Sequence, residues 1–159
     1  MANTKKAVEY TGAEGEAITK EAVNILDLLL GADIGEISLP TKRIEIKRLS
    51  EVFGKPFIVT CKALSPEKYE EVQDLAIKVS GKDVDLDVNL LQLFVVLEGV
   101  VDDSGKPMFK NKELMTKFKV STPKELIKRV LLSGEIANIY GEISELSGFG
   151  ENSIAEVKN

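Results

Sequence analysis

Apolar residues along this chain change their spacing several times, and each change marks an element. Ala22, Val23, Leu26, Leu29 and Leu30 recur at helical intervals. Thr19 before them and Gly31 after them predict a capped helix over 19–30. Ile25 and Leu28 lie off that stripe, so the helix is greasy on more than one side. It reads either as a docked core helix or as a partner-binding helix on a mobile arm. From Arg43 the period drops to two: Ile44 and Ile46 point one way, Arg43, Glu45 and Lys47 the other. A connection over Ser50–Lys55 leads to a second strand, Phe57–Leu64, with Phe57, Val59, Cys61 and Ala63 on its apolar face.

Helical spacing then returns. Ser65-Pro66-Glu67 carries the signals of a helix start, and Tyr69, Val72, Ala76 and Val79 continue the stripe to Gly81. Asp87 caps the next element, whose run Asn89–Val100 is apolar nearly all round; Phe94-Val95-Val96 would suit a central strand, but the length favours a buried helix. Asp102–Pro107 is a turn, and Asn111 caps a short helix within Met108–Phe118. Thr122-Pro123-Lys124-Glu125 has the form of a capping box. The helix it opens buries Leu126, Ile127, Val130 and Leu131, and Ser133-Gly134 breaks it. A last helix spans about Glu135–Ser147, with Gly148 as left-handed cap and Phe149 folding back on it. These elements predict an α+β, mainly helical single domain over 18–150. It has a two-stranded antiparallel hairpin at about 43–64 and a C-terminal helical pair. A flexible tail, 1–17, precedes it and a loose tail, 151–159, follows.

Composition narrows the chemistry. The 159 residues contain no histidine, which removes the commonest general base and metal ligand together. Cys61 is the single cysteine, so no intramolecular disulfide or paired-cysteine zinc site can form, and its strand position makes it a small buried hydrophobe. Net charge is −5. Residues 41–64 hold six Lys or Arg against two Glu, but no aromatic side chains interleave with them as base stacking would need. Nucleic acid is not an expected partner. The N-terminus lacks a signal-peptide pattern, and no apolar run approaches the ~20 residues of a membrane span, so a membrane is not expected either.

Motif tests exclude more than they include. Asp83-Val84-Asp85-Leu86-Asp87 resembles the start of a calcium loop, yet Val88 stands where glycine is needed and Phe94 where the bidentate glutamate belongs. The triplets Ser80–Lys82 and Ser104–Lys106 lack the leading glycine and the trailing Ser or Thr of a phosphate loop. Glu98, Asp102 and Asp103 are the one carboxylate set worth weighing. Glu98 and Asp102 would share a helix face only if the helix ran through Gly99. No catalytic residue, cofactor site or metal site is expected.

Three blocks then carry a resemblance: IEIKRLSEVFGKPFIVTCKAL, SPEKYEEVQDLA and TPKELIKRVLLSGEIANIYGEISELSGFGE. Together, over about 41–155, they resemble the XkdN-like family of phage tail assembly chaperones. The positions that carry the likeness include Arg48, Leu49, Phe53, Gly54, Pro56 and Phe57, then Lys124, Glu125, Leu126, Gly134, Glu135, Ile136, Gly148 and Phe149. The resemblance implies a non-enzymatic protein acting in the host bacterial cytoplasm while a phage tail or tail-like bacteriocin is built. It would bind the tape-measure protein, keep it soluble and help recruit tail-tube subunits, without staying in the mature particle. Self-association is left open. The alternative is a structural component retained in the tail or baseplate. Leu26, Leu29 and Leu30 are the expected partner contacts.

Overall fold

Strand-forming residues alternate at the N-terminal end of the chain, and there the backbone pairs. The structure, a computed structural model, describes residues 7–11, 17–21 and 23–158. It divides into two units, residues up to Ser38 with those from Glu151 onward, and Leu39–Gly150. In the first unit, β1 (Ala7–Thr11) and β2 (Ala17–Glu21) pair antiparallel, with Tyr10 opposite Ile18. Helix α1 follows as Ile25–Gly31, capped by Asn24, whose side chain accepts from the Asp27 N–H at 3.3 Å. The helix expected from Lys20 therefore starts five residues later, and Thr19 lies within β2 rather than at a cap. Ile18 and Thr19 favour a strand once a partner strand is present, and Asn24 caps better than threonine. The expected flexible tail, 1–17, lies mostly outside the described residues. Residues 18–38, expected to belong with the main domain, fall on the other side of the boundary between the units.

The second unit is an α+β body. Its elements run β3 (Thr41–Glu45), α2 (Lys47–Phe53), β4 (Ile58–Lys62), α3 (Pro66–Ala76), β5 (Ile77–Ser80) and β6 (Asp83–Leu86). They continue with α4 (Val88–Gly99), β7 (Val100–Val101), α5 (Lys112–Lys117), α6 (Pro123–Val130) and α7 (Ser133–Ser144). β3 and β4 pair antiparallel as the sequence predicts, but the link between them is helix α2, and β7 adds a third strand in the order β3-β4-β7. On the face expected to point inward, Val59, Cys61 and Ala63 are buried and Phe57 is half-buried.

α4 is the centre of this body. It packs against α3, α6 and α7, and buries Leu91, Leu93, Val95, Val96 and Leu97. Its last residue, Gly99, lies so close to α7 that a Cβ there would stand 2.5 Å from Ile143 Cδ1. The local caps work as read. Ser65, Asp87, Asn111 and Thr122 each accept from a backbone N–H in the following first turn. The capping box at Thr122 closes one residue wider than expected, since Glu125 accepts from Ser121 N–H.

One expected detail is corrected. α3 stops at Ala76, and Ile77–Ser80 turns through Gly81 (φ +62°) into a hairpin with β6. The alternating Asp83, Val84, Asp85 and Leu86 is thus a strand with period two. Gly148 is left-handed at φ +93°, and Phe149 packs tilted against Tyr69 of α3, ring centroids 4.9 Å and planes 39° apart.

Candidate functional site

Two kinds of surface compete for a functional reading, one apolar and one charged. The apolar one is α1. Leu26, Leu29 and Leu30 are 63, 59 and 76% exposed, and no residue of the helix is buried. Ile25 and Leu28 are exposed as well, as are Ile34 and Ile37 just beyond. The three expected contact residues therefore lie together on one exposed, apolar turn and a half.

The charged surface is a groove of about 320 Å³ between β3 with the start of α2 and α7. Arg48 closes its end. The Arg48 Nε and Nη2 donate to Glu135 Oε2 and Oε1 at 3.0 and 2.8 Å, a bidentate pair. Arg48 Nη2 also donates to the Val130 carbonyl at 2.8 Å, where α6 ends and helix carbonyls lack partners. Glu135 in turn accepts from Leu132 N–H, satisfying the start of α7. One ion pair thus joins three helices. The hydrogen bonds from Arg48, helped by the Leu132 N–H, hold the Glu135 carboxyl below the usual glutamate range. Across the groove Lys42 donates to Glu142 at 2.7 Å, and this bond and charge raise the lysine above its ordinary value.

The other candidates dissolve into local structure. α4 ends at Gly99 and Val100–Val101 is a strand, so Glu98 and Asp102 share no helix face. Glu98 pairs with Lys110. Asp102 accepts from Ser104 Oγ and from the Ser104 and Lys106 N–H groups, which hold it below the usual range and organise a turn. Cys61 is fully buried, and that burial pushes its thiol up to about 11. Among the described residues each resolved shift moves its group away from neutral pH, the reverse of what a general acid or base needs. No helix among the described residues is long and apolar enough to cross a membrane.

Comparison with known proteins decides the family. The profile described as phage XkdN-like tail assembly chaperone protein matches residues 26–159. The chain belongs to that family. It is 28% identical over 123 residues to the phage-like element PBSX protein XkdN of Bacillus subtilis (strain 168), covering 74% of this chain and 78% of that protein. It also superposes on the crystal structure of the protein YqbN with a TM-score of 0.59 at 25% identity, covering 81% of this chain and 99% of the other. The family is one of assembly chaperones rather than catalysts.

Several of the residues that carry the family likeness have structural roles. Arg48 and Glu135, 87 positions apart, form the clamp. Leu49 and Leu126 are core, Gly54 takes the left-handed cap of α2 at φ +63°, and Phe53 stacks on Phe57 at 5.7 Å. Lys124 lies over the Phe94 ring at 5.8 Å. The clamp could not be found by periodicity, because its two ends come from separate elements. The apolar stripe of α1, by contrast, follows from local pattern alone.

Proposed function

We propose that this chain binds the tape-measure protein in the host cytoplasm, keeps it soluble and helps recruit tail-tube subunits, and that it leaves before the particle is complete. The observation that carries this reading is the wholly exposed apolar helix α1, in a chain that belongs to a tail assembly chaperone family. A tape measure is long, helical and apolar, so before the tube closes it exposes surface prone to aggregate. Leu26, Leu29 and Leu30 supply a complementary apolar stripe of the helix-in-groove kind. The net charge of −5 keeps a coated partner dispersed by self-repulsion. Reversible cover also suits the task, because tube subunits must displace it. Many modest contacts release more readily than one deep pocket.

The test is co-expression of the tape-measure protein with this chain and with the variant Leu26→Asp, Leu30→Asp. The variant is expected to stay folded, since both sites are exposed, and to leave the tape measure insoluble. Soluble tape measure in both cultures would remove α1 from the reading. Mass spectrometry of purified particles completes the test. The chain should be absent there, and a stoichiometric amount would make it a structural tail component instead.

A further inference from the structure

A second uncovered apolar surface lies on the hairpin of β5 and β6. Its register sets Ile77 opposite Leu86 and Val79 opposite Val84. Opposed residues share a face, and so do residues two apart along a strand, so all four stand on one side. Lys78 with Asp85, and Ser80 with Asp83, stand on the other. The four apolar side chains are 42, 43, 71 and 65% exposed in the order Ile77, Leu86, Val79, Val84. An isolated two-stranded hairpin is at best marginal in water. A mere link between α3 and α4 would have no use for an apolar side. The alternation that builds this face therefore points to something that covers it.

We propose that this face docks an α-helix of the long helical partner, one whose apolar stripe is flanked by lysine and arginine. The inference rests on the tape-measure reading above and names a second contact surface for it. Size argues for this occupant. Four partly exposed aliphatic side chains make a patch on the order of a few hundred Å², whereas each partner in a stable complex contributes ~800 Å². Two copies meeting hairpin to hairpin would hold too weakly to persist. A long partner can instead be held at several places along its length by several copies of this chain, and each further contact then gains from effective concentration. Charge argues the same way. Residues 66–87 contain seven Asp or Glu against three Lys, so the segment that carries the face is net negative and a basic flank complements it.

The experiment uses the full chain, tagged and co-expressed with the tape-measure protein, against the variant Val79→Thr, Val84→Thr. Threonine keeps the branched shape and the strand preference while removing apolar surface. The variant should recover about tenfold less soluble tape measure with an unchanged unfolding midpoint, and recovery by the unaltered chain should fall as salt rises. Full recovery by the variant overturns the hairpin assignment and leaves the tape-measure reading standing. No recovery even by the unaltered chain ends that reading, and this inference with it. A dimer of the unaltered chain that the variant converts to monomer, in sedimentation without the partner, would make the occupant a second copy. A photo-crosslinker placed at position 84 covers the case in which the variant misfolds. Adducts on basic-flanked helical segments of the tape measure are expected, and adducts only to another copy of this chain would refute the assignment.

Discussion

Two helices of this chain share a largely apolar character and have opposite fates. α4 reads VNLLQLFVVLEG and α1 reads ILDLLLG, both apolar almost all round and both ending in glycine. α4 buries six residues among α3, α6 and α7, while α1 buries none. Covering a leucine is worth roughly 1.5–3 kcal/mol, so α4 has realised a gain that α1 has not. Apolar pattern says that a helix wants cover. It does not say whose. In α4 the cover comes from its own fold, and in α1 the leucines stay exposed.

The sharpest way to break this contrast is the same chemical change in both helices. Val96→Asp puts a carboxylate at a fully buried position, and should cost more than about 4 kcal/mol and unfold the body. Leu29→Asp, at 59% exposure, should shift stability by no more than about 0.5 kcal/mol. Urea unfolding followed by circular dichroism reads both. Equal losses would mean that α1 is as much core as α4.

The terminal glycines give a smaller version of the contrast. At Gly99 a Cβ would meet Ile143 Cδ1, Cγ2 and Cγ1 at 2.5, 2.9 and 3.0 Å, and Ile143 is itself fully buried. Gly99→Ala must push α4 from α7, at a cost of about 1–3 kcal/mol. At Gly31 a Cβ meets nothing within 4 Å, and the backbone is not left-handed. Gly31→Ala should therefore be neutral, or stabilise by up to about 1 kcal/mol through helix propensity. The same unfolding curves decide it, and a destabilised Gly31→Ala would reveal packing around α1.

What the sequence made legible follows the range of the physics. The caps at Ser65, Asp87, Asn111 and Thr122 act within one turn, and each reading holds. Of the expected stripe Leu126, Ile127, Val130 and Leu131, all but the half-buried Val130 are buried, for the same reason. α2 was hidden because it is only seven residues long and follows directly on a period-two run. β5 was hidden because Val72, Ala76 and Val79 also fit a helix, and only the pairing of Val79 with Val84 shows which period applies. The late start of α1 depends on β1, a partner strand that local spacing around Lys20 cannot reveal. The Arg48–Glu135 clamp lies beyond pattern reading altogether, since its two ends meet only after three helices have packed.

That clamp also predicts how the packed body should respond to acid. Arg48 first, then the Leu132 N–H, holds Glu135 below the usual carboxylate range. Lys78 and the Leu90 N–H do the same for Asp87, and Ser104 with the Lys106 N–H for Asp102. In the unfolded chain these groups return to about pH 4. As pH falls through that range the unfolded chain takes up protons before the folded one, so stability present at neutral pH is lost progressively. The thermal midpoint should therefore decline from about pH 5 to about pH 3. Glu135→Gln should start from a lower midpoint at neutral pH and decline less steeply, because one of the depressed carboxyls is gone. The Arg48 and Glu135 side chains are 38 and 20% exposed, so solvent screens the pair and the difference in slope should be modest. If the two curves coincide, the ion pair adds nothing to stability. The clamp would then only fix the geometry of α2, α6 and α7, and core packing around α4 would carry the body by itself.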